Sequence, residues 1–122
     1  MREIKAKVDA SWLMFSGDDD TCLDLCLSGG QGVISVVSHL IPKEISNLIS
    51  KASNKDDSCL SEFAKYKNLL KYLCIEPNPI PVKWALQKMG IIKTSKVRLP
   101  LIEMSEVNSI QMEKALSDLE LI

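Results

Sequence analysis

The stretch Ser11–Val37, SWLMFSGDDDTCLDLCLSGGQGVISVV, decides the fold. Residues 11–16 form an almost continuous apolar run, the pattern of a strand buried on both faces in a parallel sheet. Gly17-Asp18-Asp19-Asp20 ends it, and Asp19 or Asp20 suits the cap of a short helix over 21–28. Gly29 and Gly30 end that helix. Gly32–Val37 is again apolar and β-branched, a second strand. Strand, helix, strand is one βαβ unit, which implies parallel strands. Two parallel strands alone do not make a stable sheet.

Before this unit, residues 2–9 read as the last turns of a helix. After residue 40 everything reads as helix. Pro42 suits a first helical position, and Ile45, Leu48, Ile49 and Ala52 repeat at helical spacing. Ser53–Asp57 is a polar turn. A helix is predicted over 58–74, with Phe63, Tyr66, Leu70, Leu73 and Cys74 on one stripe. Three prolines at alternate positions in Glu76-Pro77-Asn78-Pro79-Ile80-Pro81 predict an extended connection. Pro81 then starts a helix with Val82, Ala85, Leu86 and Met89 inward and Gly90 as its left-handed cap. Residues 91–104 are a loop. Ser105 suits the cap of a last helix, with Met112, Ala115, Leu116 and Leu119 on its inner face. The expected division is a piece of βαβ over 1–40 and a helical domain over 41–122.

The 122 residues have the length of one ordinary domain. With 46% apolar and 25% charged residues the chain is globular, not disordered. A net charge of −1 gives no chain-wide basic field, so neither nucleic acid nor an anionic membrane is an expected partner. Apolar stretches are too short to cross a bilayer, and residues 1–15 lack the features of a signal peptide. The expectation is a soluble cytoplasmic chain with its four cysteines reduced. Lysine outnumbers arginine 13 to 2, and isoleucine occurs 12 times, a bias of AT-rich genomes.

Candidate chemistry begins at Asp18-Asp19-Asp20. Strand ends carry ligand chemistry in parallel α/β folds, so three carboxylates there suit a divalent cation or a substrate. The competing reading is helix capping. Gly29-Gly30-Gln31-Gly32 precedes a strand instead of opening a helix, so a tight turn is favoured over a phosphate loop. Cys22 and Cys26 share a helix face but lack zinc spacing; they read as buried thiols, and Cys59 and Cys74 as core. His39 reads as a surface residue, because no nucleophile accompanies it. Lys83 reads as an ion-pair partner, because a Schiff-base lysine normally projects from a buried strand end. Trp12 and Trp84 are expected to pack. No metal or cofactor is implied.

Four segments together carry a resemblance: Phe15-Ser16-Gly17-Asp18-Asp19; Gly29-Gly30-Gln31-Gly32-Val33-Ile34-Ser35-Val36; Glu76-Pro77-Asn78-Pro79-Ile80-Pro81-Val82-Lys83-Trp84-Ala85; and Arg98-Leu99-Pro100. In these motifs, and in their spacing, the chain resembles the C-terminal portion of the dihydrodipicolinate synthase family over essentially its whole length. The resemblance implies an α/β fold, namely strands seven and eight of a (β/α)8 TIM barrel followed by a C-terminal helical domain. It implies a lyase of the class I aldolase type that condenses pyruvate with L-aspartate semialdehyde through a lysine Schiff base, in lysine and diaminopimelate biosynthesis. Carried over, Gly17 and Asp18 fall on the substrate side, and Ile34 turns its backbone carbonyl towards pyruvate. The Schiff-base lysine and the proton relay fall upstream of residue 1, so no catalytic residue is matched here.

The expectation is therefore a truncated or split synthase, inactive alone. Its partners would be an N-terminal barrel half or full-length synthase subunits, homotetrameric in the intact family. The competing readings are a non-enzymatic helical interaction module and a pseudogene product.

Overall fold

The computed structural model describes residues 2–9 and 11–122. Its elements in chain order are α1 (Arg2–Lys5), β1 (Phe15–Ser16), α2 (Cys22–Leu27), β2 (Gly32–Val33), a 3₁₀ turn (Val37–His39), α3 (Pro42–Ser53), α4 (Ser58–Phe63), a second 3₁₀ turn (Ala64–Tyr66), α5 (Lys67–Leu73), α6 (Ile80–Lys88) and α7 (Glu106–Asp118).

The βαβ unit is present and parallel, with Phe15 opposite Gly32 and Ser16 opposite Val33. Its strands are far shorter than the apolar runs that predict them. Before Phe15, the Met14 amide donates to the Gln31 side chain at 2.6 Å instead of to a backbone ladder. After Ile34, whose amide still donates to the Ser16 carbonyl, the Val36 and Val37 amides turn to the Asp19 carboxylate. The expectation of burial on both faces also fails. Trp12 is 67% exposed, Leu13 66%, Phe15 51% and Ile34 75%. A strand is buried on both faces only when further strands and helices cover it; α2 packs on this pair, but among the described residues no third strand continues the sheet. Trp12 accordingly does not pack, whereas Trp84 is half-buried against the core.

The core is helical. One apolar cluster runs from Cys22, Leu23 and Cys26 through Ile45, Leu48 and Ala52 to Leu69, Met112 and Leu116, so it draws on residues from both sides of residue 40. The stripe of α3 is buried as its spacing requires, with Ile49 at its margin. The helix predicted over 58–74 is interrupted by the second 3₁₀ turn. Three residues per turn eclipse positions i and i+3, and this brings Phe63 and Tyr66 inward together, with ring centroids 6.3 Å apart. The same break rotates the end of the stripe, so Cys74 is exposed while Leu70 and Leu73 stay buried.

Helix ends follow backbone chemistry. Gly29 (φ +96) and Gly90 (φ +73) adopt the left-handed conformation after α2 and α6. The carbonyls they expose accept the Gly30 and Ile91 amides, at Leu25 and Leu86 respectively. Two lysines finish the C-terminus of α2: Lys5 Nζ donates to the Ser28 carbonyl at 3.1 Å and Lys55 Nζ to that of Leu27. The proline segment is a compact turn instead of an extended connection. The Ile80 amide donates to the Pro77 carbonyl, and α6 starts one residue before Pro81. The Asn78–Pro79 and Leu99–Pro100 peptides are cis.

Candidate active-site cavity

Gly17 and Asp18 follow β1, and Ile34 follows β2, so all three stand at the C-terminal end of the parallel pair. That end opens on a cavity of about 290 Å³. Its lip is Gly17 to Asp20, its floor Val36, Leu70 and Leu73, and its far wall Cys74, Glu76 and Asn78. Ile34 is not among the lining residues.

The acidic lip is held by its own hydrogen bonds. The Ser16 hydroxyl donates to the Asp18 carbonyl at 2.8 Å and accepts the Asp18 amide. Asp18 Oδ2 accepts the Thr21 hydroxyl at 2.8 Å, and Oδ1 accepts the Asp20 amide. Thus neither Asp19 nor Asp20 caps α2, whose first turn begins at Thr21 without a side-chain cap. Asp19 does cap, but 17 residues further on. Its Oδ2 accepts both the Val36 and Val37 amides at 3.0 Å, closing the first 3₁₀ turn, while its Oδ1 is buried without a partner among the described residues. Among the described residues no group of three or more His, Cys, Asp or Glu side chains is placed to hold a metal ion.

The far wall is anchored from α7. Glu76 Oε1 accepts the Ser105 amide at 3.0 Å, the Ser105 hydroxyl at 2.7 Å and the Asn108 side-chain amide at 2.7 Å. Burial acts to raise this carboxyl, but the donors from Asn108 and Ser105 outweigh it and hold it below the ordinary carboxylate range. Ser105 therefore stands at the start of α7, as its residue type predicts, but its hydroxyl serves Glu76 instead of the helix. No local signal links Glu76 to residues 29 and 32 positions away.

The remaining candidates are structural. Burial, then Asp19 and Cys26, pushes the Cys22 thiol up to about 12. Burial also raises Cys26 and Cys59, and all three thiols are buried. Cys74, on the cavity wall, is raised by burial and then by Asp20, Asp19 and Asp18. His39 is exposed. Among the described residues Lys83 makes no ion pair: its Nζ donates to the Lys96 carbonyl and ties α6 to the following loop. Among the described residues, none that lines the cavity is a lysine.

A parallel strand pair whose C-terminal end opens on a cavity, packed against helices, is the arrangement in which α/β folds bind ligands. The dihydrodipicolinate synthetase family model matches residues 1–119, and the chain belongs to that family. The 4-hydroxy-tetrahydrodipicolinate synthase of Buchnera aphidicola subsp. Acyrthosiphon pisum is 42% identical over 117 residues, covering 95% of this chain and 40% of the relative. The structure of dihydrodipicolinate synthase from Acinetobacter baumannii, described as complexed with pyruvate, matches with a TM-score of 0.92 at 36% identity, over 99% of this chain and 42% of that one. A structure described as a monomeric dihydrodipicolinate synthase variant matches with a TM-score of 0.90 at 35% identity, over 99% of this chain and 40% of its own. The chain thus spans about 40% of the length of the relatives it matches. Among the described residues no helix is long and apolar enough to cross a membrane.

Proposed function

We propose that this chain forms the C-terminal part of a 4-hydroxy-tetrahydrodipicolinate synthase, supplying strands seven and eight of the barrel and the helical domain behind them. The observation that carries the reading is the family match over residues 1–119, together with a parallel pair whose C-terminal end opens on a cavity. In this reading Gly17 and Asp18 border the substrate side, and Ile34 turns its backbone carbonyl towards pyruvate. Condensation with L-aspartate semialdehyde then needs an amine nucleophile and its acid–base partners from the rest of the barrel. Among the described residues no lysine lines the cavity. The 122 residues are inactive alone and gain activity when the six preceding strands are supplied.

The test is a condensation assay on the 122-residue chain, alone and mixed with the N-terminal barrel portion of a relative. Activity only in the mixture supports the reading. Activity of the chain alone sinks it. A mixture that forms neither complex nor active enzyme counts for a helical interaction module instead.

A further inference from the structure

Three donors from the start of α7 converge on one oxygen of Glu76, a residue of the cavity wall. The partners are 29 and 32 residues away and belong to a 13-residue helix that otherwise packs on α5 and α6. Ser105 and Asn108 do not line the cavity. A carboxylate at a helix start accepts charge-assisted hydrogen bonds and meets the positive end of the helix dipole. Here the carboxylate comes from outside the helix, so the same contacts fasten the turn between α5 and α6 to α7.

We propose that Glu76 is a positioning residue: by holding Ser105 and Asn108 it fixes the Cys74–Asn78 wall opposite Asp18–Asp20 and sets access to the cavity. What enters the cavity rests on the synthase reading above; the dependence of the wall on this contact does not.

Cys74 reports on the wall directly. It is exposed and lines the cavity, whereas Cys22, Cys26 and Cys59 are buried and report unfolding. The carboxylates that raise the Cys74 thiol are Asp20, Asp19 and Asp18, not Glu76, so removing Glu76 leaves its thiolate fraction in place. The experiment is maleimide labelling of the full chain, each cysteine followed by peptide mass spectrometry. Asn108→Ala, which removes a donor outside the cavity, should speed Cys74 labelling only severalfold, because that thiol is already exposed, while the three buried thiols stay protected. Glu76→Ala should do the same. Glu76→Gln, which keeps the acceptor oxygen, should return the rate most of the way. An unchanged Cys74 rate in both alanine variants overturns the proposal. So does a parallel rise at all four cysteines, which marks a purely structural role. No enzyme assay enters the result, so failure of the synthase reading leaves it standing.

Discussion

The carboxylate of Asp19 accepts the Val36 and Val37 amides, across 17 and 18 residues of chain respectively. It thereby joins the loop after β1 to the turn after β2. A cap usually satisfies donors of the helix it precedes; this one satisfies the donors of a turn on the neighbouring strand. It also ends β2, because Val36 and Val37 can no longer donate to a ladder.

Asp19→Ala should therefore cost more than an ordinary surface change. It leaves two partly buried amides without their acceptor, which costs about 1–3 kcal/mol. Asp19→Asn keeps one acceptor oxygen and should cost about 1 kcal/mol or less. Urea unfolding of the two variants checks the order. Equal stability of Asp19→Ala and the parent chain would refute it.

The Glu76 contact makes stability depend on pH. The folded carboxyl lies below its ordinary value of 4.5, so its contribution is fully present above that pH and is lost as pH falls through the folded value. Asp9 and Asp56 are lowered too, by hydrogen bonds from Ser11 and Ser58, and act with the same sign. Glu76→Gln should accordingly flatten, without abolishing, the loss of the urea midpoint below pH 5. A slope identical to the parent's would count against the contact.

How far this was legible differs by element. The stripes of α3 and α7 were readable because helical spacing is local and their packing partners lie within the chain. Gly29 and Gly90 were readable because only a positive φ closes those turns cheaply. The length of the strands was not, because a strand is defined by its neighbours, and among the described residues no third strand extends the β1–β2 pair. The site was half legible. Gly17 and Asp18 line the cavity at the strand end, but the roles of Asp19 and Glu76 depend on partners 17 to 32 residues away, which no spacing rule reaches.

Cys74 should be a slow nucleophile at neutral pH. Burial and the three aspartates raise its thiol, and reactivity follows the thiolate. Its labelling rate should climb with pH beyond 8, and Asp20→Asn should increase the rate at a fixed pH near 8. Cys22, raised to about 12, should stay unlabelled throughout in the folded chain. Thiol labelling across pH separates these outcomes, and an acceleration of Cys22 ahead of Cys74 would contradict them.

The two glycine positions should respond differently to alanine. At Gly90 the added carbon meets open space, so the cost is backbone strain alone, about 1–2 kcal/mol. At Gly30 it collides with the Leu25 side chain, and the Gly30 amide is already bonded to the Leu25 carbonyl at 2.8 Å. Relief requires moving a half-buried leucine or the turn itself, costing about 1–3 kcal/mol. Thermal unfolding should find Gly30→Ala no more stable than Gly90→Ala.

The exposed faces of the strand pair give the last test. Trp12, Leu13, Phe15 and Ile34 put large apolar surface into water beside unpaired strand edges, a combination that drives self-association. None of the four belongs to the buried cluster. Trp12→Lys combined with Ile34→Ser should then reduce dye binding and aggregation of the isolated chain while leaving its unfolding midpoint within about 0.5 kcal/mol of the parent. If this surface is the seam for the neighbouring barrel strands, the same double variant should lose complementation by an N-terminal barrel portion. Light scattering and the mixed condensation assay read the two effects separately. Less aggregation with undiminished complementation would show that the barrel closes elsewhere.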